Sequence, residues 1–221
     1  MRHPQGHMPQ GSQHWLQVMV SRSPDVFSAA FGLPGLGDIY WKSPLEDDDF
    51  AEYQDDDFLD LVGISLNKLP LREFWPRRGP VWDGLATSSG GKVLLIEAKA
   101  NIPELKSPGT QASAKSARKI QASLDASKPS FGSPADSDWS HAYYQYANRL
   151  AHLYLLRAAN GVDAHLVFLY FVHARDVSGP SSVEEWQDAI DEAHQALSLG
   201  HGQLTAYVHD VFVDVNDLGG P

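Results

Sequence analysis

The chain has 221 residues, 43% hydrophobic and 20% charged, enough for one medium-sized domain with its own core. It contains no cysteine, which excludes disulfide frameworks, thiolate metal sites and cysteine nucleophiles. The formal net charge of −11 is unevenly spread: residues 38–60 hold ten acids and one lysine, residues 161–221 ten acids and one arginine, and residues 61–157 thirteen bases against seven acids. A basic middle between acidic flanks suits contact with a polyanion, although ordinary solvated faces have the same composition. The longest apolar run, Leu166–Val172, falls far short of the ~20 residues that span a bilayer. Residues 1–14 lack the apolar core of a secretory signal, so the expected location is cytoplasmic, with no membrane partner.

Taken in chain order, residues 1–14 are polar and rich in Gln, Gly and His, and are expected to form a disordered tail ahead of a single domain over 15–221. Gly32–Gly37 contains Pro34 and follows no strand, so it is a turn and not a phosphate-binding loop. Phe50, Tyr53, Phe58, Leu61, Val62 and Leu66 recur at helical spacing, predicting a helix over 46–66. A short strand is expected at Arg72–Trp75, then a turn at Arg77–Pro80. Val81–Thr87 and Lys92–Ala100 read as two strands of a hairpin closed by Ser88–Gly91. Residues 101–136 are rich in Ser, Ala and Pro and form an insertion with a short helix around Gln111–Ser123. A helix is expected from Asp138 to Asn160, stopped by Gly161. A strand buried on both faces follows at Ala164–His173, then a helix over Ser182–Leu199 and a strand over Leu204–Val215. The fold class is α/β with a mixed sheet.

The chemistry concentrates on the hairpin. Alternation along a strand puts Glu97 and Lys99 on one face, with Ala98 opposed. An odd loop of three or five residues around Ser89 pairs Asp83 with Leu95 and brings it diagonally beside Glu97; an even loop turns it to the other face. Two carboxylates and a lysine are costly to bury unpaired and make sense around a hard divalent cation, Mg²⁺ or Mn²⁺. Asp83, Glu97 and the backbone carbonyl of Ala98 are the candidate ligands, and Lys99 the catalytic base or electrostatic helper. The competing interpretation is a Glu97–Lys99 pair on a solvated strand face.

At these residues the chain resembles the PD-(D/E)XK, or restriction-endonuclease-like, nuclease superfamily. Pro80-Val81-Trp82-Asp83 is followed, after thirteen residues, by Glu97-Ala98-Lys99 at the end of an apolar strand. The resemblance implies an αβββαβ core over about 46–173, with the C-terminal helix and strand appended and 101–136 as a basic insertion. It also implies a further acidic metal ligand from the first core helix. Glu52 is chosen, with Glu46, Asp56 and Asp60 equally placed. A polar residue from the helix after the motif belongs near the site, and Gln145 takes that role. Arg149, one turn on, is a candidate phosphate contact.

In the insertion, Lys115, Arg118 and Lys119 share one helix face, and with Lys106 they form the candidate nucleic-acid surface. The expected function is a metal-dependent nuclease acting on DNA more readily than RNA. Its expected partners are nucleic acid, a protein that delivers the substrate to this acidic chain, and a second copy in a homodimer. Two alternatives are a catalytically silent binding module and an acidic inhibitor or immunity-type protein whose clusters Glu46–Asp49 and Asp55–Asp57 mimic phosphates.

Overall fold

The computed structural model describes residues 1–219; the last two residues of the expected domain lie outside the described residues. The elements are β1 (Arg2–His3), α1 (Gly11–Arg22), α2 (Pro24–Phe31), β2 (Ile39–Ser43), β3 (Glu52–Gln54), α3 (Asp56–Leu61), α4 (Leu71–Phe74), β4 (Val81–Trp82), β5 (Gly84–Ser88), β6 (Val93–Lys99), α5 (Ala114–Ser127), α6 (Tyr144–Tyr154), β7 (Ala164–Val172), α7 (Val183–Ala196) and β8 (Val208–Asp214). A five-stranded mixed sheet runs β2-β5-β6-β7-β8, and a small sheet runs β1-β3-β4. In the large sheet, β2, β5 and β6 are antiparallel neighbours, while β6, β7 and β8 run parallel. The architecture is α/β, as expected. No helix among the described residues is long and apolar enough to cross a membrane.

The large sheet is covered on both sides, which explains why β6 and β7 are buried throughout. Leu85, Leu95, Leu166, Phe168 and Tyr170 face one core with Ile120 and Leu124 of α5, Leu150 of α6 and Trp186 of α7. Their alternates Ala86, Leu94, Ile96, Val167, Leu169 and Val213 face a second core with Leu16 and Met19 of α1 and Phe27 of α2. Glu97 and Lys99 fall in phase with Leu95 and so lie on the α6 side. The turn at Gly32–Gly37 docks on the hairpin loop, where Gly90 donates to Leu36 O at 3.0 Å. A Cβ on Gly90 would collide with the backbone of Gly35 and Leu36.

Several expectations need correction, the smaller ones being that α6 begins at Tyr144 and not at Asp138, and β8 at Val208, after a 3₁₀ turn, and not at Leu204. Residues 1–14 do not form a free tail: β1 pairs with β3, and Gln17 of α1 bonds Gly6 O and Met8 N–H. The helix expected over 46–66 is a 3₁₀ turn at Glu46–Asp48, then β3, then α3. Positive φ at Asp49, Phe50 and Asp55 interrupts it, and pairing with β1 and β4 draws Glu52–Gln54 into a strand. Arg72–Trp75 is not a strand, because Pro70 precedes the one-turn helix α4. Finally, Leu85, and not Asp83, pairs with Leu95; the hairpin loop is odd, but the register lies two residues further along. Asp83 occupies the bend between β4 and β5, at the level of Glu97.

Candidate active site

The site forms where β6 ends beside the first turns of α6. Glu97 is 1% and Lys99 7% exposed. Lys99 Nζ donates to Glu97 Oε1 at 2.6 Å and to Gln145 Oε1 at 3.3 Å. Arg149, one turn beyond Gln145, donates from Nε to Glu97 Oε2 at 2.6 Å and from its terminal nitrogen to Val81 O at 2.8 Å. Its guanidinium lies over the Trp82 ring, 4.8 Å from the centroid. Asp83 turns back across the strand edge, and its Oδ2 accepts the Ala98 N–H at 2.8 Å. Glu52, buried in β3, accepts Gln5 Nε2 at 3.0 Å and the side-chain amide of Gln13.

The electrostatics divide this cluster. Burial raises the carboxyl pKa of Asp83 to about 7, with the Glu97 charge adding to the shift and Lys99 and Arg149 opposing it. Burial likewise raises Glu52 to about 8, reinforced by Asp83 and Glu97. Glu97 goes the other way, because Arg149 and Lys99 outweigh its burial and hold it below the usual carboxylate range. Burial works against the Lys99 charge, but Glu97 and Asp83 more than compensate and raise its pKa. Lys99 is therefore a fixed positive charge at neutral pH, which suits an electrostatic role and not that of a free base.

Glu52, Asp83, Arg149 and Gln145 line a cleft of about 820 Å³, together with Arg77, Arg78, Tyr144 and the loop over 107–113. A neighbouring recess joins Asp83, Lys99 and Gln145 to Gln10–Gln13 and Lys106. Six expected site residues thus meet, Glu52 among them, although on a strand and not on a helix. Other expectations fare differently. Arg149 reaches the cleft wall but is 3% exposed and already committed to Glu97, Asn148 and Val81. Lys106 pairs with Glu192 at 2.9 Å, and Lys119 donates to Arg72 O at 2.8 Å. Lys115 and Arg118 are exposed on α5. Gln5 and Gln13 escaped sequence reasoning because they reach Glu52 across 47 and 39 residues, a distance over which no local pattern operates.

The acidic groups differ in how far they are open to a cation. Among the described residues, no group of three or more His, Cys, Asp or Glu side chains stands ready as metal ligands. Both oxygens of Glu97 are occupied by cationic side chains, whereas Asp83 and Glu52 border the cleft with raised pKa values, the condition that a divalent ion relieves. No protein-family model, curated protein or solved structure matches the chain.

Proposed function

We propose that the chain is a divalent-metal-dependent nuclease of the restriction-endonuclease-like kind, hydrolysing phosphodiester bonds of DNA. The observation that carries this reading is the gathering of Glu52, Asp83 and Gln145 at the edge of one cleft, with Lys99 in the adjoining recess and Glu97 buried behind them. The order α1, β2, β5, β6, α6, β7 supports it, being a helix, three antiparallel strands, a helix and a parallel strand once the intervening elements are set aside; its first helix and strand come from residues 11–43 and not from within the expected 46–173. Asp83 and Glu52 are the residues that would hold Mg²⁺ or Mn²⁺, which when bound would supply Lewis acidity for hydrolysis. The chain's own residues do the rest. Lys99, kept charged by Glu97, offsets negative charge developing on the phosphate. Gln145 accepts from Lys99 through its oxygen, which leaves its amide donors for a phosphate oxygen or water. Arg149 positions Glu97.

One observation favours a second reading, a silent nucleic-acid binder: Glu97 is already fully paired. Calorimetric titration with Mn²⁺, followed by cleavage assays on DNA and RNA, separates the two. The nuclease reading expects saturable binding that disappears in Asp83→Ala, and cleavage that falls about 10²–10³-fold in Lys99→Met. Nucleic-acid binding with neither metal uptake nor cleavage would establish the silent binder instead.

A further inference from the structure

The Arg77–Gly79 turn is built with more care than a connection requires. Arg78 has φ +64°, in the left-handed region that side-chain-bearing residues rarely adopt. Its N–H donates to Asp55 Oδ2 and that of Gly79 to Asp55 Oδ1, each at 3.0 Å. Asp55 is 8% exposed, itself at φ +59°, and is anchored by Arg72 at 3.1 Å. One buried carboxylate thus spends both oxygens fixing the turn. The two side chains it presents, Arg77 and Arg78, are exposed and have no ion-pair partner among the described residues. Both line the same cleft as Asp83 and Glu52.

Tyr144, half-buried at the start of α6, lines this cleft too, as does the loop over 107–113. Paired guanidinium groups recognise phosphate, and an aromatic ring takes a stacked base of any sequence. A cleft of about 820 Å³ has the size of a small-molecule site and has room for a short length of one strand. We propose that Arg77 and Arg78 form a phosphate clamp, braced by Asp55, which together with Tyr144 makes the cleft a single-strand binding site. This deepens the nuclease reading by assigning its substrate class, but the clamp itself requires no metal.

The test is fluorescence anisotropy of the full chain in EDTA, with labelled single-stranded DNA and RNA oligonucleotides and the matching DNA duplex, over a salt series. Single strands are expected to bind more tightly than the duplex. Arg77→Ala with Arg78→Ala should weaken binding about tenfold or more and reduce the log–log salt slope by about 1.4, the share of two phosphate contacts on a single strand. Tyr144→Ala should weaken binding about tenfold with the slope unchanged. Asp55→Asn keeps both guanidinium groups; a reduced slope there reports a misplaced turn, whereas a merely structural role lowers the melting temperature and leaves the slope intact. Equal affinity for the duplex, or double-arginine binding equal to wild type, overturns the clamp. Metal-dependent cleavage that survives in the double-arginine variant with unchanged KM removes the clamp and keeps the nuclease. Arginine-dependent binding without metal uptake does the reverse.

Discussion

Glu97 and Asp83 lie at neighbouring strand ends on the same side of the sheet, yet their charges are managed in opposite ways. Glu97 holds two cations within 2.6 Å and ionises easily in a buried position. Asp83 has one backbone N–H for company and shares with Glu52 a tendency to keep its proton near neutral pH. The protein's own cations are concentrated on the carboxylate furthest from the cleft, and those that border the cleft are left short of positive charge. Neutralisation is complete for the buried Glu97 and incomplete for the carboxylates at the edge of the cleft.

The most severe way to break this contrast is Arg149→Leu. It removes one of the two cations from a buried carboxylate, and a cost of about 3–5 kcal/mol is expected in urea denaturation. A smaller loss than 1 kcal/mol would mean that Lys99 suffices alone.

A second, intermediate effect sharpens the contrast through pH. Asp83 and Glu52 titrate at about 7 and about 8 in the folded chain, above ordinary carboxylates, so the folded state holds protons that the unfolded chain has released. Their linkage makes stability fall as pH rises from about 4 to about 8. Glu97, shifted down, contributes in the opposite sense: its stabilisation is present above about pH 4.5 and lost on acidification. Asp83→Asn, which preserves an acceptor for Ala98, should flatten the fall between pH 5 and 9 by on the order of 1–2 kcal/mol. Mn²⁺ at a hundredfold excess over its Kd should restore about 2.7 kcal/mol at pH 8 in wild type and little in the variant. Urea midpoints across pH, with and without metal, read both, and a pH-independent midpoint would show that the carboxylates do not share a field.

The smallest effect concerns the amides. Gln13→Ala takes a donor from Glu52 and should cost about 1 kcal/mol at pH 9, where Glu52 is charged, and less at pH 6. An equal cost at both values would assign Gln13 to packing alone.

What could be read from the sequence follows the range of the forces involved. The phase of Glu97 and Lys99 on one strand face, and of Gln145 and Arg149 on one helix face, are local periodicities that tertiary contacts leave untouched. The buried strand at Leu166–Val172 is equally plain, since a run apolar at every position has to be covered on both sides. Residues 46–66 misled because their aromatic spacing imitates a helix. Their backbone is instead settled by partners at Arg2–His3 and Val81–Trp82, distant in the chain. The same long-range pairing gives the N-terminal segment its place and brings Gln5 and Gln13 to Glu52. That Arg149 is a buried partner of Glu97 needed the third dimension, since an arginine four residues after a glutamine fits a solvated face as readily.

Asp83 is the single residue between β4, which belongs to the small sheet, and β5, which belongs to the large one. A chain that had closed only the five-stranded sheet would own Lys99, Glu97 and Arg149 yet leave Asp83 on a loose tether and Glu52 adrift. The seam therefore makes the pairing of these two carboxylates a reporter of assembly: Asp83 and Glu52 are brought together only when two separately hydrogen-bonded sheets are both complete, so fraying of either one parts them before the molecule unfolds.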